Sequence, residues 1–123
     1  MRKVIVSAST EYAVLIGRGL LAQLGTEVAK RICPCKAAVI TDTTVEKLYA
    51  EQAEQSLAAA GVTTCRFSYP AGEGSKHIGT LSDMLEFLAE QEITRQDIII
   101  ALGGGVAGDM AGFAAAVYQR GIR

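Results

Sequence analysis

Three glycines near the carboxyl end of the chain have the spacing of a dinucleotide-binding turn. The stretch "ALGGGVAGDM" contains Gly103, Gly105 and Gly108, which fit the pattern G-x-G-x-x-G. A missing Cβ lets the backbone approach a pyrophosphate closely, and a helix that begins there offers free N–H donors and a favourable dipole. The alternative is that the glycines only allow a helix to pack tightly on a sheet.

The position of this turn differs in two ways from the usual dinucleotide-binding arrangement. It follows a late strand rather than the first, and the acid expected about 20 residues further on would lie beyond the last residue given. Asp42, at the end of an earlier strand, could instead accept hydrogen bonds from a ribose. Asp109 follows Gly108 directly. It either interacts favourably with the helix dipole or indicates a nearby cation or uncharged polar ligand group, such as a nicotinamide carboxamide.

A second turn, "PAGEGSKH", carries charged side chains among glycines that disfavour a helix. The ammonium of Lys76 could meet a phosphate and the carboxylate of Glu73 a ribose, and the alternative is a solvated turn with ordinary surface charges. We interpret His77, the only histidine, as a surface or helix-start residue. A catalytic zinc site needs about three protein ligands, so the sequence predicts no metal site within this chain.

Alternating periodicities predict the elements that hold these turns. Short apolar runs predict strands at 3–8, 12–17, 36–42, 62–70 and 97–102. Helical spacing of apolar residues predicts helices at 19–33, 43–61, 77–92 and 106–120. Strands that alternate with helices form parallel crossovers, so we expect an α/β fold with an open, mostly parallel sheet, helices on both faces and an amino-terminal strand pair. Ligands bind at the carboxyl ends of such strands, where the turns lie.

Composition argues against several functional classes. The chain has 123 residues, of which half are hydrophobic, and this suits one compact domain. A net charge of −1 does not favour nucleic acid, and no apolar run reaches the about 18 residues of a membrane span. The start turns polar too early for a secretory signal, so we expect a cytoplasmic protein. Cys33, Cys35 and Cys65 have no C-x-x-C spacing, and we expect reduced structural thiols.

Three stretches together, "ALGGGVAGDMAGFAAAVYQRGIR", "PAGEGSK" and "TDTTV", resemble the amino-terminal domain of the 3-dehydroquinate synthase family. The resemblance covers essentially the whole chain. It implies a Rossmann-like NAD-binding domain over residues 1–123, as a fragment of a longer enzyme whose carboxy-terminal helical domain is absent from this chain. Alone, the fragment is expected to be inactive. Its apolar stretch "MAGFAAAVY" is expected to favour self-association.

The resemblance also implies roles for individual residues at the cofactor. The residues concerned are Asp42, Glu73, Lys76, Gly104, Gly105 and Asp109. Asp42 would contact the adenosine ribose, and the two glycines would lie against the pyrophosphate. The acid and the lysine of the second turn would line the NAD site, and Asp109 would lie near the nicotinamide. Arg120 would reach the phosphate of the substrate, to which the forked donors of a guanidinium are well suited.

The activity implied by the resemblance belongs to the shikimate pathway. It converts 3-deoxy-D-arabino-heptulosonate 7-phosphate (DAHP) into 3-dehydroquinate and phosphate by transient oxidation, phosphate elimination, reduction and aldol cyclisation. The cofactors implied are NAD and, in the whole enzyme, Zn²⁺ or Co²⁺ with ligands outside this chain. The implied assembly is a homodimer acting on a small molecule. The alternatives are another sugar-phosphate cyclase, a glycerol-1-phosphate dehydrogenase, or a nucleotide-binding module without chemistry.

Overall fold

A computed structural model describes residues 2–6, 12–16, 20–31, 36–72, 74, 76–94 and 96–118. The strands are β1 (Arg2–Val6), β2 (Tyr12–Ile16), β3 (Lys36–Asp42), β4 (Thr63–Tyr69) and β5 (Ile98–Leu102). The α-helices are α1 (Leu24–Arg31), α2 (Thr43–Val45), α3 (Glu51–Ala59), α4 (Ile78–Glu90) and α5 (Gly105–Val117). A 3₁₀ turn (Leu20–Gln23) precedes α1, and a π-helical turn (Glu46–Ala50) joins α2 to α3. The order confirms the predicted alternation of strands and helices.

The described strands form two sheets. β1 and β2 pair antiparallel, with Val4 opposite Val14, and this confirms the predicted amino-terminal strand pair. β4, β3 and β5 form a parallel sheet in that order, so β3 is its central strand. In this register Ile40 of β3 lies opposite Phe67 of β4 and Ala101 of β5. The continuous apolar run of β3 is explained by this central place, because both of its faces are covered.

Helices cover both faces of the parallel sheet, as predicted. On one face Ala38 and Ile40 of β3 pack in a buried cluster with residues of α4 and α5, among them Met84 and Met110. On the other face Ala37 and Val39 pack with Leu57 of α3, and α1 adds partly buried leucine and valine side chains. Alternate residues of one strand therefore belong to two separate cores.

The contact between α1 and α3 is unusually close at Gly25. The Gly25 N–H donates to Ser56 Oγ at 2.9 Å, and this hydroxyl donates to the carbonyl of Ala22 at 3.0 Å. A Cβ on Gly25 would lie 2.0 Å from the carbonyl oxygen of Ser56. The backbone of α1 at Gly25 contacts the backbone of α3 at Ser56, and no side chain fits between them. The periodicity of apolar residues in α1 did not indicate this contact.

Two further expectations concern the cysteines and the membrane. Cys65 is a half-buried free cysteine, and burial, partly opposed by Lys36, raises the pKa of its thiol. It is therefore protonated at neutral pH, in agreement with a structural thiol, whereas Cys33 and Cys35 lie outside the described residues. In the described part of the chain, no helix combines the length and the apolar character that crossing a membrane requires.

Candidate functional site

Three strand-to-helix turns meet at the carboxyl edge of the parallel sheet. Contacts join them in pairs. Thr43 Oγ1, after β3, accepts a hydrogen bond from the N–H of Ala71, after β4, at 3.2 Å. Lys76 Nζ, from the same second turn, lies 2.9 Å from Asp109 Oδ2 on α5. The turns that the sequence singled out are therefore one connected surface.

Asp42 is the last residue of β3 and caps the helix that follows. Its Oδ1 accepts a hydrogen bond from the N–H of Val45 at 2.8 Å. Its Oδ2 lies 3.8 Å from where a Cβ on Gly103 would stand, so the carboxylate faces the glycine turn. Asp42 thus has one oxygen engaged in the fold and a second directed towards the edge of α5. The composition of "TDTT" predicts a helix that starts at an Asp or Thr cap, and the structure confirms Asp42 as that cap.

The glycines after β5 differ in what the fold requires of them. Gly103 has a φ of +146°, where other residues are strained, and a Cβ there would lie 3.3 Å from that of Ala107. Gly104 and Gly105 have no positive φ and are exposed, and among the described residues no atom, apart from chain neighbours and the helix's own backbone, lies within 4 Å of where their Cβ would stand. Gly103 is therefore needed by the turn itself, whereas nothing in the fold explains the other two.

The amino terminus of α5 offers hydrogen-bond donors beside these glycines. Gly104 is the N-cap and has no side chain to accept from the first turn. The Gly108 N–H donates to the Gly104 carbonyl at 3.2 Å, so the N–H groups before it precede the helical ladder. Such donors and the positive end of the helix dipole favour an anion. Gly108 is exposed, and no described residue outside its own helix comes within 4 Å of its Cβ position, so those residues do not show the close packing that the third glycine of the pattern usually serves.

Asp109 has its countercharge in the second turn. It lies beyond the first turn of α5, and the Lys76 ammonium pairs with it. An acid is unfavourable beside an anion-binding turn, and here the Lys76 ammonium balances its charge, which is one of the three possibilities that the sequence indicated. Both side chains are about half exposed, at 48% for Lys76 and 61% for Asp109, so the pair adds at most about 1 kcal/mol to stability.

An open pocket of about 310 Å³ lies between the start of α4 and the middle of α5. Its lining residues are Lys76, His77, Ile78, Leu81, Asp109, Met110 and Phe113. The polar side chains come from the second turn and from Asp109, and the rest of the lining is apolar. Two of the apolar residues are largely exposed, Ile78 at 78% and Phe113 at 55%. Phe113 belongs to the stretch "MAGFAAAVY", for which the sequence predicts self-association, and that expectation stays a prediction.

His77 begins α4, as the sequence indicated, and does so through its side chain. Its Nδ1 accepts hydrogen bonds from the N–H groups of Gly79 at 3.1 Å and Thr80 at 3.3 Å. Histidine is not among the favoured N-cap residues, so its sequence position gave no direct signal of this role.

Two more residues at this edge were missed by the sequence analysis. Thr43 joins the first two turns, and its hydroxyl in "TDTT" was a visible polar signal. Tyr69, at the end of β4, is 3% exposed, and its hydroxyl finds no hydrogen-bond partner among the described residues. Burial, and secondarily the charge of Asp42, raises the pKa of Tyr69, so the phenol stays neutral.

Part of the predicted site lies outside the described residues, namely Glu73 and Arg120. Within the described ranges, no three His, Cys, Asp or Glu side chains come together as a metal site would require. The described donor set therefore does not fit a metal ion. It does fit a dinucleotide, which needs close backbone approach, free N–H donors and a carboxylate for a ribose.

Comparison of sequences finds a matching family model and relatives that are all described as 3-dehydroquinate synthases. Residues 66–123 match the family model described as 3-dehydroquinate synthase N-terminal. The 3-dehydroquinate synthase of Streptococcus suis is 48% identical over 122 residues, which are 99% of this chain and 34% of that protein. The 3-dehydroquinate synthase of Enterococcus faecalis is 45% identical, with the same coverage. The chain thus spans about a third of the length of the curated relatives it matches.

Comparison of structures agrees on the fold. A structure of 2-deoxy-scyllo-inosose synthase with carbaglucose-6-phosphate, NAD⁺ and Co²⁺ aligns with a TM-score of 0.85 and 22% identity, covering 98% of this chain and 33% of that one. A 2-epi-5-epi-valiolone synthase from Streptomyces hygroscopicus with NAD⁺ and Zn²⁺ aligns with a TM-score of 0.76 and 27% identity, covering 97% and 32%. Both neighbours are about three times as long as the stretch that aligns.

Proposed function

Since the chain belongs to the 3-dehydroquinate synthase family, we propose that it is the NAD-binding part of an enzyme that converts DAHP into 3-dehydroquinate and phosphate. The observation that carries the proposal is the pair of exposed glycines, Gly104 and Gly105, that the fold does not require. A pyrophosphate lying against them would explain both. Residues 1–123 would then be one domain of a two-domain enzyme, inactive by itself.

Different described residues would bind different parts of the cofactor. Gly104 and Gly105, with the first N–H groups of α5, would bind the pyrophosphate. Oδ2 of Asp42, which faces the glycine turn, would accept from the adenosine ribose. Lys76 would line the NAD site from the second turn, and Asp109, with which it is already in contact, would lie near the nicotinamide end.

The remaining residues of the proposed site lie outside the described part of the chain. Glu73 would complete the cofactor site from the second turn, and Arg120 would bind the phosphate of the substrate. NAD, when bound, supplies a reversible hydride acceptor for a substrate hydroxyl. A Zn²⁺ or Co²⁺ ion, as in the two synthase structures, would take its ligands from outside the described residues.

The relatives at 45–48% identity favour this synthase over another sugar-phosphate cyclase, a glycerol-1-phosphate dehydrogenase or a module without chemistry. The likeness to other cyclases at lower identity is a likeness of the shared fold. We further propose that the whole enzyme is a cytoplasmic homodimer acting on a small molecule, as the family resemblance implies.

Titration of NAD⁺ into the chain by calorimetry tests the cofactor site, with Asp42→Asn as the informative variant. Asparagine caps a helix as well as aspartate, so the hydrogen bond to Val45 is retained while the charge is lost. Hydrogen bonds to charged groups contribute about 1.5–3 kcal/mol, so the affinity of the variant is expected to fall by about tenfold or more.

The matched control is Asp83→Asn, an exposed aspartate on α4 away from the three turns. It should leave the affinity for NAD⁺ unchanged. Equal affinities of Asp42→Asn and the wild-type chain would contradict the ribose contact, and a folded wild-type chain that does not bind NAD⁺ would refute the cofactor assignment for this part of the protein.

A chimaera tests the activity itself. Residues 1–123 replace the equivalent third of the Streptococcus suis 3-dehydroquinate synthase, which supplies the remaining sequence. We expect the chimaera to release phosphate from DAHP in an NAD⁺-dependent reaction, and the same chimaera with Gly105→Val to lose this activity. A folded chimaera that binds NAD⁺ without releasing phosphate would favour the module without chemistry.

A further inference from the structure

We propose that Tyr69 belongs to the cofactor site, where its hydroxyl donates a hydrogen bond to the same ribose hydroxyl from which Asp42 accepts one. The inference rests on the proposed function, because that function places the adenosine ribose at Asp42. It adds a second residue, from the neighbouring strand, to the recognition of the ribose.

The register of the parallel sheet brings Tyr69 and Asp42 side by side. Tyr69 ends β4, Asp42 ends β3, and the two are direct partners in the pairing of these strands. Their side chains therefore lie on the same face, the one covered by α4 and α5, where Tyr69 is part of the buried cluster. On the other side of Asp42 lies the glycine turn, with Oδ2 3.8 Å from the Cβ position of Gly103. All three residues lie at the carboxyl edge of the sheet, where ligands bind in such folds.

The hydroxyl of Tyr69 contributes nothing to the fold that a phenylalanine would not. The side chain is 3% exposed, and within the described part of the chain its buried oxygen neither donates nor accepts a hydrogen bond. Leaving a buried hydroxyl unpaired costs free energy, so nearly all buried polar groups in proteins have a partner. Phenylalanine would fill the same space without this cost. A hydroxyl that is unpaired beside a ligand site points to a partner on the ligand.

The chemistry of the two side chains identifies the ligand group that fits them. Burial and the charge of Asp42 raise the pKa of Tyr69, so the phenol keeps its proton and can donate it in a hydrogen bond. A carboxylate only accepts. The group between them must therefore accept from the phenol and donate to the carboxylate. A hydroxyl does both, whereas an ammonium cannot accept and an ionised phosphate cannot donate. Because the phenol oxygen is enclosed without a ligand, its ring has to shift towards Asp42 when the ribose binds.

Tyr69→Phe tests the inference, and Ser68→Ala is its matched control. Ser68 precedes Tyr69 in β4, and its Oγ is also buried without a partner among the described residues. Its side chain lies on the opposite face of the sheet, the face on which Arg66 pairs with Glu54 of α3. Each substitution removes one unpaired buried hydroxyl. In urea unfolding without NAD⁺, both variants should therefore be as stable as the wild-type chain or more stable.

Calorimetric titration with NAD⁺ separates the two variants. The Kd is expected to rise about fivefold in Tyr69→Phe, the size expected for the loss of one hydrogen bond between uncharged groups, and to stay unchanged in Ser68→Ala. Equal Kd values of Tyr69→Phe and the wild-type chain overturn the inference, and so does an equal rise in both variants. A lower unfolding midpoint of Tyr69→Phe without NAD⁺ also overturns it, because the hydroxyl would then have a partner in the fold.

The double variant Asp42→Asn with Tyr69→Phe tests whether both side chains hold one hydroxyl. Residues that share a partner are coupled, so the double variant should raise the Kd by less than the product of the two single effects. Independent effects would overturn the shared hydroxyl. Weaker binding by Asp42→Asn with unchanged binding by Tyr69→Phe refutes the role of Tyr69 and leaves the proposed function intact. A folded wild-type chain that does not bind NAD⁺ refutes both.

Discussion

Gly25→Ala is expected to lower the free energy of unfolding by about 2–3 kcal/mol, because overpacking a close backbone contact carries a cost of this size. The new Cβ would lie 2.0 Å from the carbonyl oxygen of Ser56, which as backbone cannot turn aside. Relief requires α1 to move off α3, and this would break the hydrogen bond from the Gly25 N–H to Ser56 Oγ. Urea unfolding followed by circular dichroism measures the change as a lower midpoint.

Gly112→Ala is the matched control for this substitution. Gly112 is also a helical glycine, in α5, but a Cβ there has 4 Å of free space. Alanine is the better helix former by up to about 1 kcal/mol, so the control should be as stable as the wild-type chain or more stable. Equal midpoints for Gly25→Ala and Gly112→Ala would show that α1 does not pack on α3 as closely as described.

Gly25 also illustrates which features the sequence could not predict. The helix around it could be predicted, since its apolar residues recur at helical spacing. A glycine is required at position 25 because of Ser56, 31 residues further along the chain, and because α1 and α3 pack together on one face of the sheet. The spacing of apolar residues gives information about one helix or strand at a time, so it cannot predict a contact between two helices.

The strands and turns were easier to predict, for physical reasons. β3 is buried on both faces, and such a strand has to be a continuous apolar run, which "KAAVITD" is. The turns at the site are rich in glycine and charge, which ordinary connections do not need. The π-helical turn at Glu46–Ala50 was not predicted, because "TTVEKLYAEQ" has the composition of an uninterrupted helix.

The candidate site was predicted as a set of residues and not as a set of contacts. Asp42 was singled out as a ribose ligand and an Asp/Thr cap was predicted for the helix that follows, but only the structure shows that Asp42 is the residue that accepts from the N–H of Val45. The ion pair of Lys76 and Asp109 joins residues 33 positions apart. Sequence spacing cannot indicate such a pair, because it forms only once α4 and α5 lie on the same face of the sheet.

The glycine turn shows most clearly what the structure adds. From the motif alone, packing and ligand binding were equally good reasons for Gly103, Gly105 and Gly108, and the family resemblance placed Gly104 and Gly105 at the pyrophosphate. The structure separates them: Gly103 has a positive φ and a neighbour at 3.3 Å, and Gly104 and Gly105 have neither. Substitution of Gly105 therefore tests ligand binding almost free of any effect on folding.

Gly105→Val is accordingly expected to lower the affinity for NAD⁺ at least about tenfold, equivalent to about 1.4 kcal/mol, so that binding is no longer measurable. The valine side chain projects into the open space where the pyrophosphate would approach the start of α5. Glycine at the first position of a helix has no steric function here, so the unfolding midpoint should stay close to that of the wild-type chain. Calorimetric titration and urea unfolding measure the two quantities on the same preparation.

Gly112→Val is the control, since it adds the same side chain to an equally open glycine further along the same helix. If Gly105→Val binds NAD⁺ as Gly112→Val does, the pyrophosphate does not lie against Gly105. If Gly105→Val lowers the unfolding midpoint and Gly112→Val does not, the glycine serves the fold after all. If Gly105→Val keeps the stability of the wild-type chain but loses the binding of NAD⁺, a packing role for Gly105 is excluded. Replacing a glycine that packing requires would lower the free energy of unfolding even without ligand.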